Sequence, residues 1–225
     1  MSNSKRFVLI LVLACMAGAA HAHKPLAVGA LDTSPARPLQ LLDIDISQVV
    51  YYIPTANRPE VWTRFHAEAG QQATIQLGIP RIAGKEGVRP AFAVLGPGLP
   101  AVELPFDAPE EIGGVIFTSD GDTPLAFDEP FTGTKDYQFA PHAITLPQTG
   151  DYYLVGYLPS GALDKFWVVL GEEEAFSLSD YLSLPAITYQ VRQYHEVFPI
   201  GGIALLAPLG ILAGLLLALI ARFAA

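Results

Sequence analysis

The sequence predicts an all-β protein: an antiparallel β-sandwich, followed by a short C-terminal helical segment and one transmembrane helix. Three observations lead there. Short runs between residues 61 and 170 alternate apolar and polar side chains, glycine- and proline-rich turns separate those runs, and an uncharged apolar stretch runs from Ile200 to Ile220. The implied organisation is a signal peptide over 1–22, an extracytoplasmic sandwich over 23–171, a juxtamembrane helical segment over 172–198 and the transmembrane helix over 199–222.

The leader is read from three parts: the basic pair Lys5 and Arg6, the apolar run Phe7 to Met16, and small residues up to Ala20-His21-Ala22. Small residues at the third and first positions before the cut favour cleavage after Ala22, which makes His23 the new N-terminus. A cut after Ala20 also satisfies the rule and would expose His21-Ala22-His23. Val12-Leu13-Ala14-Cys15 resembles the box in which bacteria lipidate a cysteine, yet the chain stays apolar after it. Cys15 therefore reads as part of the discarded core, which leaves the mature chain without cysteine and excludes thiol catalysis and thiolate metal sites.

Within the sandwich, Val61, Phe65 and Ala67 fall on one face of a strand and Trp62, Arg64, His66 and Glu68 on the other. The turn Ala69-Gly70-Gln71 follows, and Ala73, Ile75, Leu77 and Ile79 resume the alternation, so a hairpin with one buried face is expected. Further strands are expected over 90–95, 114–118, 137–140, 143–146, 152–158 and 166–170. The turns between them are signalled by Gly96-Pro97-Gly98, Asp120-Gly121-Asp122, Thr149-Gly150-Asp151 and Pro159-Ser160-Gly161. Many short strands without intervening helices indicate sheet packed on sheet.

The series Glu60-Val61-Trp62-Thr63-Arg64-Phe65, Ala69-Gly70-Gln71, Ala91-Phe92-Ala93-Val94-Leu95-Gly96-Pro97-Gly98 and Gln148-Thr149-Gly150-Asp151-Tyr152-Tyr153-Leu154-Val155 resembles bacterial pre-peptidase C-terminal (PPC-like) domains. The resemblance covers about Gln48 to Gly171. It implies a jelly-roll-like sandwich of the kind that accompanies secreted enzymes as an accessory module.

After the sandwich, Ser177-Leu178-Ser179-Asp180 has capping-box spacing, so a short helix to Leu184 is expected, ended by Pro185. Ile187, Val191, Tyr194 and Phe198 then recur at helical spacing, which gives an amphipathic helix leading to the membrane. Its apolar stripe is suited to the sandwich, to the membrane interface or to a partner helix. The glycines and Pro208 of the stretch 200–220 are tolerated in a membrane helix, and only Arg222 and three residues follow it.

The whole chain carries 13 basic and 22 acidic residues; without Lys5 and Arg6 it carries 11 basic residues and a net charge of −11. Such a surface repels phosphate backbones, so no nucleic-acid partner is expected, and cationic partners or metal ions suit it better. The chain has no Gly-x-Ser-x-Gly elbow, phosphate loop or His-Glu-x-x-His pair. Carboxylate pairs such as Asp107 with Glu110, or Asp128 with Glu129, lack a surrounding motif and read as solvated loops. Asp120, Asp122, Asp128 and Glu129 match no defined calcium loop.

The reading favoured on these grounds is a membrane-anchored extracytoplasmic binding or interaction protein without an evident catalytic site, with a protein partner or small ligand. A structural subunit of a membrane complex is one alternative and a periplasmic copper-binding protein is another. For copper, an N-terminal His23 offers its amino group and a ring nitrogen to one ion, an arrangement that resembles the histidine brace of copper proteins. His66 and His142 are the candidate second ligands, and His195 is placed at the membrane interface.

Overall fold

The computed structural model describes residues 23–197, apart from 111 and 131. The expected leader, 1–22, and the expected membrane helix, 199–222, lie outside the described residues. Twelve strands and one helix are described: β1 Lys24–Gly29, β2 Leu39–Gln40, β3 Gln48–Tyr52, β4 Val61–Ala67, β5 Gln72–Pro80, β6 Ala91–Leu95, β7 Gly114–Thr118, β8 Leu125–Glu129, β9 Thr134–Gln138, β10 His142–Thr145, β11 Gly150–Tyr157, β12 Phe166–Leu170 and α1 Leu178–Tyr194. They form two facing layers. The first sheet has the order β1-β3-β12-β5-β9-β8, with β10 also paired to β5, and the second has the order β2-β4-β11-β6-β7.

The chain crosses repeatedly between the layers, and this corrects two expectations. β4 and β5 do not pair with each other as a hairpin: β4 pairs with β11 in the second sheet and β5 with β12 in the first. The turn at Gly70, with φ +85°, is a corner between sheets. The apolar faces of Val61, Phe65 and Ala67 and of Ala73, Ile75, Leu77 and Ile79 therefore meet across the interior. The sheets are also mixed and not purely antiparallel, because β1 runs parallel to β3 and β2 parallel to β4. β1 and β3 share a sheet only after the chain has visited the other layer through β2, and such a return leaves two neighbours running the same way.

The interior is rich in aromatic side chains. Tyr52, Phe65, Phe92, Tyr152 and Phe166 are each no more than 1% exposed. Phe65 stacks on Tyr152 with centroids 5.7 Å apart, and Phe92 on Phe117 at 4.9 Å. The buried Tyr52 phenol keeps hydrogen bonds at the rim, to the carbonyls of Arg58 (2.7 Å) and Glu60 (3.0 Å).

The C-terminal region also differs from expectation. Ser177 and Asp180 do form a capping box, but the helix they start continues through Pro185 to Tyr194. Pro185 costs one helical hydrogen bond. Docking keeps the helix continuous: Val191 and Tyr194 pack on Val49, Tyr51, Trp167 and Val169 of the outer face of the first sheet. Lys24 ties the first turn by a 2.8 Å ion pair to Asp180, and Lys165 donates to the Tyr194 carbonyl and the Glu196 carboxylate, both at 2.8 Å. Among the described residues no helix is long and apolar enough to cross a membrane. The single-pass anchor, and the cell-membrane location that depended on it, are thus not supported. The 17-residue α1 carries Asp180 and Arg192 and is spent on covering a sheet.

The tether of α1 is acid-labile. The Asp180 carboxyl is lowered from 3.8 to about 2, first by the Lys24 hydrogen bond and, against the opposing cost of burial, by Ser177. The folded value lies below the unfolded one, so this contribution is complete above 3.8 and is lost as pH falls through about 2. Amide exchange in the first turn of α1, measured by NMR and corrected for intrinsic rates, is expected to rise over that interval. Lys24→Met is expected to raise it already at neutral pH.

Candidate functional site

The two candidate second ligands, His66 and His142, both lie far from His23. His23 immediately precedes β1; its Nδ1 lies 2.6 Å from the Ser47 hydroxyl and its ring 6.2 Å from that of Trp167, on the helix side of the first sheet. His142 opens β10, opposite Ile75 of β5, which lies opposite Leu170, then Gln48, then Lys24. Four strand steps at ~4.8 Å put it roughly 19 Å from the start of β1. Its ring sits at the seam between the sheets, 4.7 Å from Phe117 and 5.9 Å from Phe92.

His66 is exposed on the outer face of the second sheet, with the whole sandwich between it and His23. Its Nδ1 lies 3.1 Å from Asp151, opposite it on β11, and its Nε2 3.9 Å from Glu68. The Asp151 carboxyl, which also binds Arg64, is held below its ordinary range first by Arg64 and then by His66. His195 is not at an interface with a membrane: it is 4% exposed beneath the end of α1, where its Nε2 meets Asp136 at 2.9 Å. Among the described residues no group of three or more His, Cys, Asp or Glu side chains is placed to hold a metal ion.

The carboxylates divide in the same way. Asp128 is neutralised by Arg81 (2.9 Å) and Lys135 (3.6 Å), and Glu129 accepts from Thr132. A concavity of about 660 Å³ beside Asp32 is occupied chemically by the ion pairs of Asp32 with Arg37 (2.9 Å) and Arg58 (2.8 Å).

A second concavity lies on the second sheet. The outward residues of β4, β6 and β11 include Trp62, Ala93, Leu95, Tyr153 and Val155, and the segment between β6 and β7 folds back over them with Leu104, Phe106, Ala108 and Ile112. Phe106 meets Trp62 edge-on at 5.5 Å and Tyr157 at 5.1 Å, and Tyr153 meets Trp62 at 5.6 Å. This cover leaves Trp62 only 3% exposed, whereas the alternation pattern had placed it with the solvent-facing residues. The segment is pinned at its ends by Gly96 N–H to the Gly113 carbonyl (2.9 Å) and Gly114 N–H to the Pro100 carbonyl (2.7 Å). A side chain at Gly113 would lie 2.0 Å from the Leu99 carbonyl oxygen, so that close approach requires glycine.

Between its two limbs the segment holds a groove of about 640 Å³, lined by residues that include Leu99, Val102, Leu104, Phe106, Asp107 and Ile112. The volume falls within the range of small-ligand sites. Residues 99–113 contain Glu103, Asp107, Glu110 and Glu111 and no lysine or arginine. Glu60, at the start of β4, has its carboxyl raised, first by burial and further by the charge of Asp107. The carboxylates at this end of the groove therefore repel one another. Sequence reasoning named Asp107 and Glu110 as solvated loop residues and overlooked the groove. The available signal was a long proline-rich connection that nevertheless carries Leu104, Phe106 and Ile112.

No protein-family model and no curated protein sequence matches the chain. Among solved structures it is similar to the secreted protein MopE of Methylococcus capsulatus, described as a copper-binding protein in which an oxidized tryptophan facilitates binding. The identity is 15%, the match covers 51% of this chain and 70% of that one, and the TM-score is 0.24. At that score the likeness carries no argument about fold or chemistry.

Proposed function

We propose that this chain acts by binding, and that its ligand is a cationic, partly apolar group, such as a lysine- or arginine-bearing peptide segment, taken up in the groove of residues 99–113. The observation that carries the reading is the juxtaposition, at one groove, of an aromatic and aliphatic wall around Phe106 with Asp107, whose charge adds to burial in raising the nearby Glu60 carboxyl. An apolar wall rewards burial of alkyl stems, while the carboxylates and ring faces reward the positive heads. The net charge of −9 also favours approach of such a ligand from a distance.

A short peptide alternating lysine and leucine, titrated into the full-length chain, is expected to change the emission of Trp62, which touches Phe106. Phe106→Ala is expected to weaken binding by about tenfold or more. The pair Asp43→Asn with Asp45→Asn, on the loop before β3, serves as a control for non-specific attraction and is expected to leave affinity unchanged. Equal loss in that control and in Phe106→Ala would contradict the reading.

A second reading, copper binding at a mature N-terminal His23, is favoured by the half-buried place of that ring beside Trp167, and it requires Nδ1 to exchange its Ser47 contact for the ion. The chelate would use the amino nitrogen and Nδ1 of residue 23, the ring nitrogen that can reach the same ion as the amine, without His66 or His142. A chain whose N-terminus is verified by mass spectrometry as His23 is expected to bind one Cu(II), and His23→Ala to abolish it. Unchanged binding in that variant would sink this reading.

A further inference from the structure

We propose that the buried His195–Asp136 pair is a proton-dependent latch that holds helix α1 on the sandwich, closed while a proton lies between the two side chains and opened when that proton leaves. His195 and Asp136 are 4% and 3% exposed, and they join the end of α1 to β9 across 59 residues of sequence. The Nδ1 of His195 lies 2.7 Å from the Val191 carbonyl oxygen. A carbonyl only accepts, so Nδ1 carries a hydrogen. Nε2 lies 2.9 Å from Asp136 Oδ1, which also accepts the Trp167 indole N–H at 2.8 Å. A neutral ring with its hydrogen on Nδ1 would turn a lone pair toward that carboxylate. The observed contact therefore needs a second proton, held between ring and carboxylate.

The groups facing this pair come from several elements. Tyr51 of β3 and Tyr194 of α1 have rings 5.6 and 5.1 Å from that of His195. Both phenols are pushed well above their ordinary value, first by burial and next by the charge of Asp136, so neither ionises near neutrality. Glu129 of β8 acts on Tyr51 through its charge. Arg192 of α1 donates to the Thr132 carbonyl, and Lys165, before β12, donates to the Tyr194 carbonyl and to Glu196. Of all these side-chain types only histidine ordinarily changes charge near neutrality. The latch is therefore closed while the shared proton is held and opens as rising pH removes it.

The test is native-state amide exchange on the full chain from about pH 5 to about pH 9, with rates corrected for their intrinsic pH dependence. Protection in the second half of α1 is expected to fall by about tenfold or more relative to β11 as pH rises. His195→Gln, whose side-chain amide donates to Asp136 at every pH, is expected to remove that dependence. Wild-type protection that follows β11 throughout, or an unchanged dependence in His195→Gln, would overturn the proposal. Should that variant fail to fold, the ¹⁵N shifts of the wild-type His195 ring decide. Both nitrogens are expected to stay protonated while α1 is protected and to change together with its release; a neutral ring under a fully protected helix would refute the latch.

Discussion

Replacing Tyr152 by alanine is expected to lower the unfolding free energy by about 3–5 kcal/mol, the range for deleting a large buried aromatic side chain. Tyr152 is fully buried near the start of β11, stacked on Phe65 of the neighbouring strand. Its hydroxyl lies 2.7 Å from the Gln148 carbonyl and 3.0 Å from that of Pro97, so one ring ties β11 to the turn after β6. The ring also fills the space that Gly96 leaves open, where a Cβ would lie 2.2 Å from it. Tyr152→Phe keeps the stack and loses only the hydroxyl bonds, so its expected cost is about 1 kcal/mol. Denaturant midpoints of the two variants check the contrast. Equal midpoints would mean that the hydroxyl, and not the packing, holds this part of the core.

Asp136→Ala is the second large effect. The substitution leaves the His195 ring and the Trp167 indole N–H buried without the carboxylate that accepts from both. Removing one partner of a buried ion pair costs about 3–5 kcal/mol, most of it the desolvation of what remains. The loss is expected to fall on α1 first, because the pair and the Val191 and Tyr194 contacts form one docking surface. Circular dichroism is expected to show helix signal lost at lower denaturant than the sheet signal. The double variant Asp136→Leu with His195→Leu, which removes the charges together, is expected to recover part of the stability. A single cooperative loss in Asp136→Ala, with helix and sheet melting together, would contradict local docking.

What was legible in the sequence follows from how each element is covered. β4, β6, β7 and β12 sit within a residue of the expected ranges, because alternating or strongly β-forming runs end there at glycine or proline turns. β3 was not foreseen: all five residues of Gln48-Val49-Val50-Tyr51-Tyr52 are buried, so no alternation marks it. β1 and β2 pair in parallel at sheet edges, each with the next strand but one, a relation that no local pattern in either segment marks. Alternation separated the two faces of β4 correctly but could not say what covers each, and so Trp62 was taken for a surface residue. The same limit explains the hairpin that became a corner between sheets. Asp136 and His195 belong to no local motif, since only the docking of α1 brings them together. The groove was hidden for a related reason: a loop's apolar residues show no period, and only the sheet beneath them gives Leu104, Phe106 and Ile112 a common surface.

Binding at the groove of residues 99–113 is tested most directly by mapping amide and indole chemical-shift changes on the full-length chain as the lysine–leucine peptide is added. Saturable changes are expected on residues 99–113, on the backbone at Glu60 and on the Trp62 indole, and are expected to be lost in Phe106→Ala. Changes that centre on α1 or spread evenly over the acidic surface, or that persist in Phe106→Ala, would contradict it.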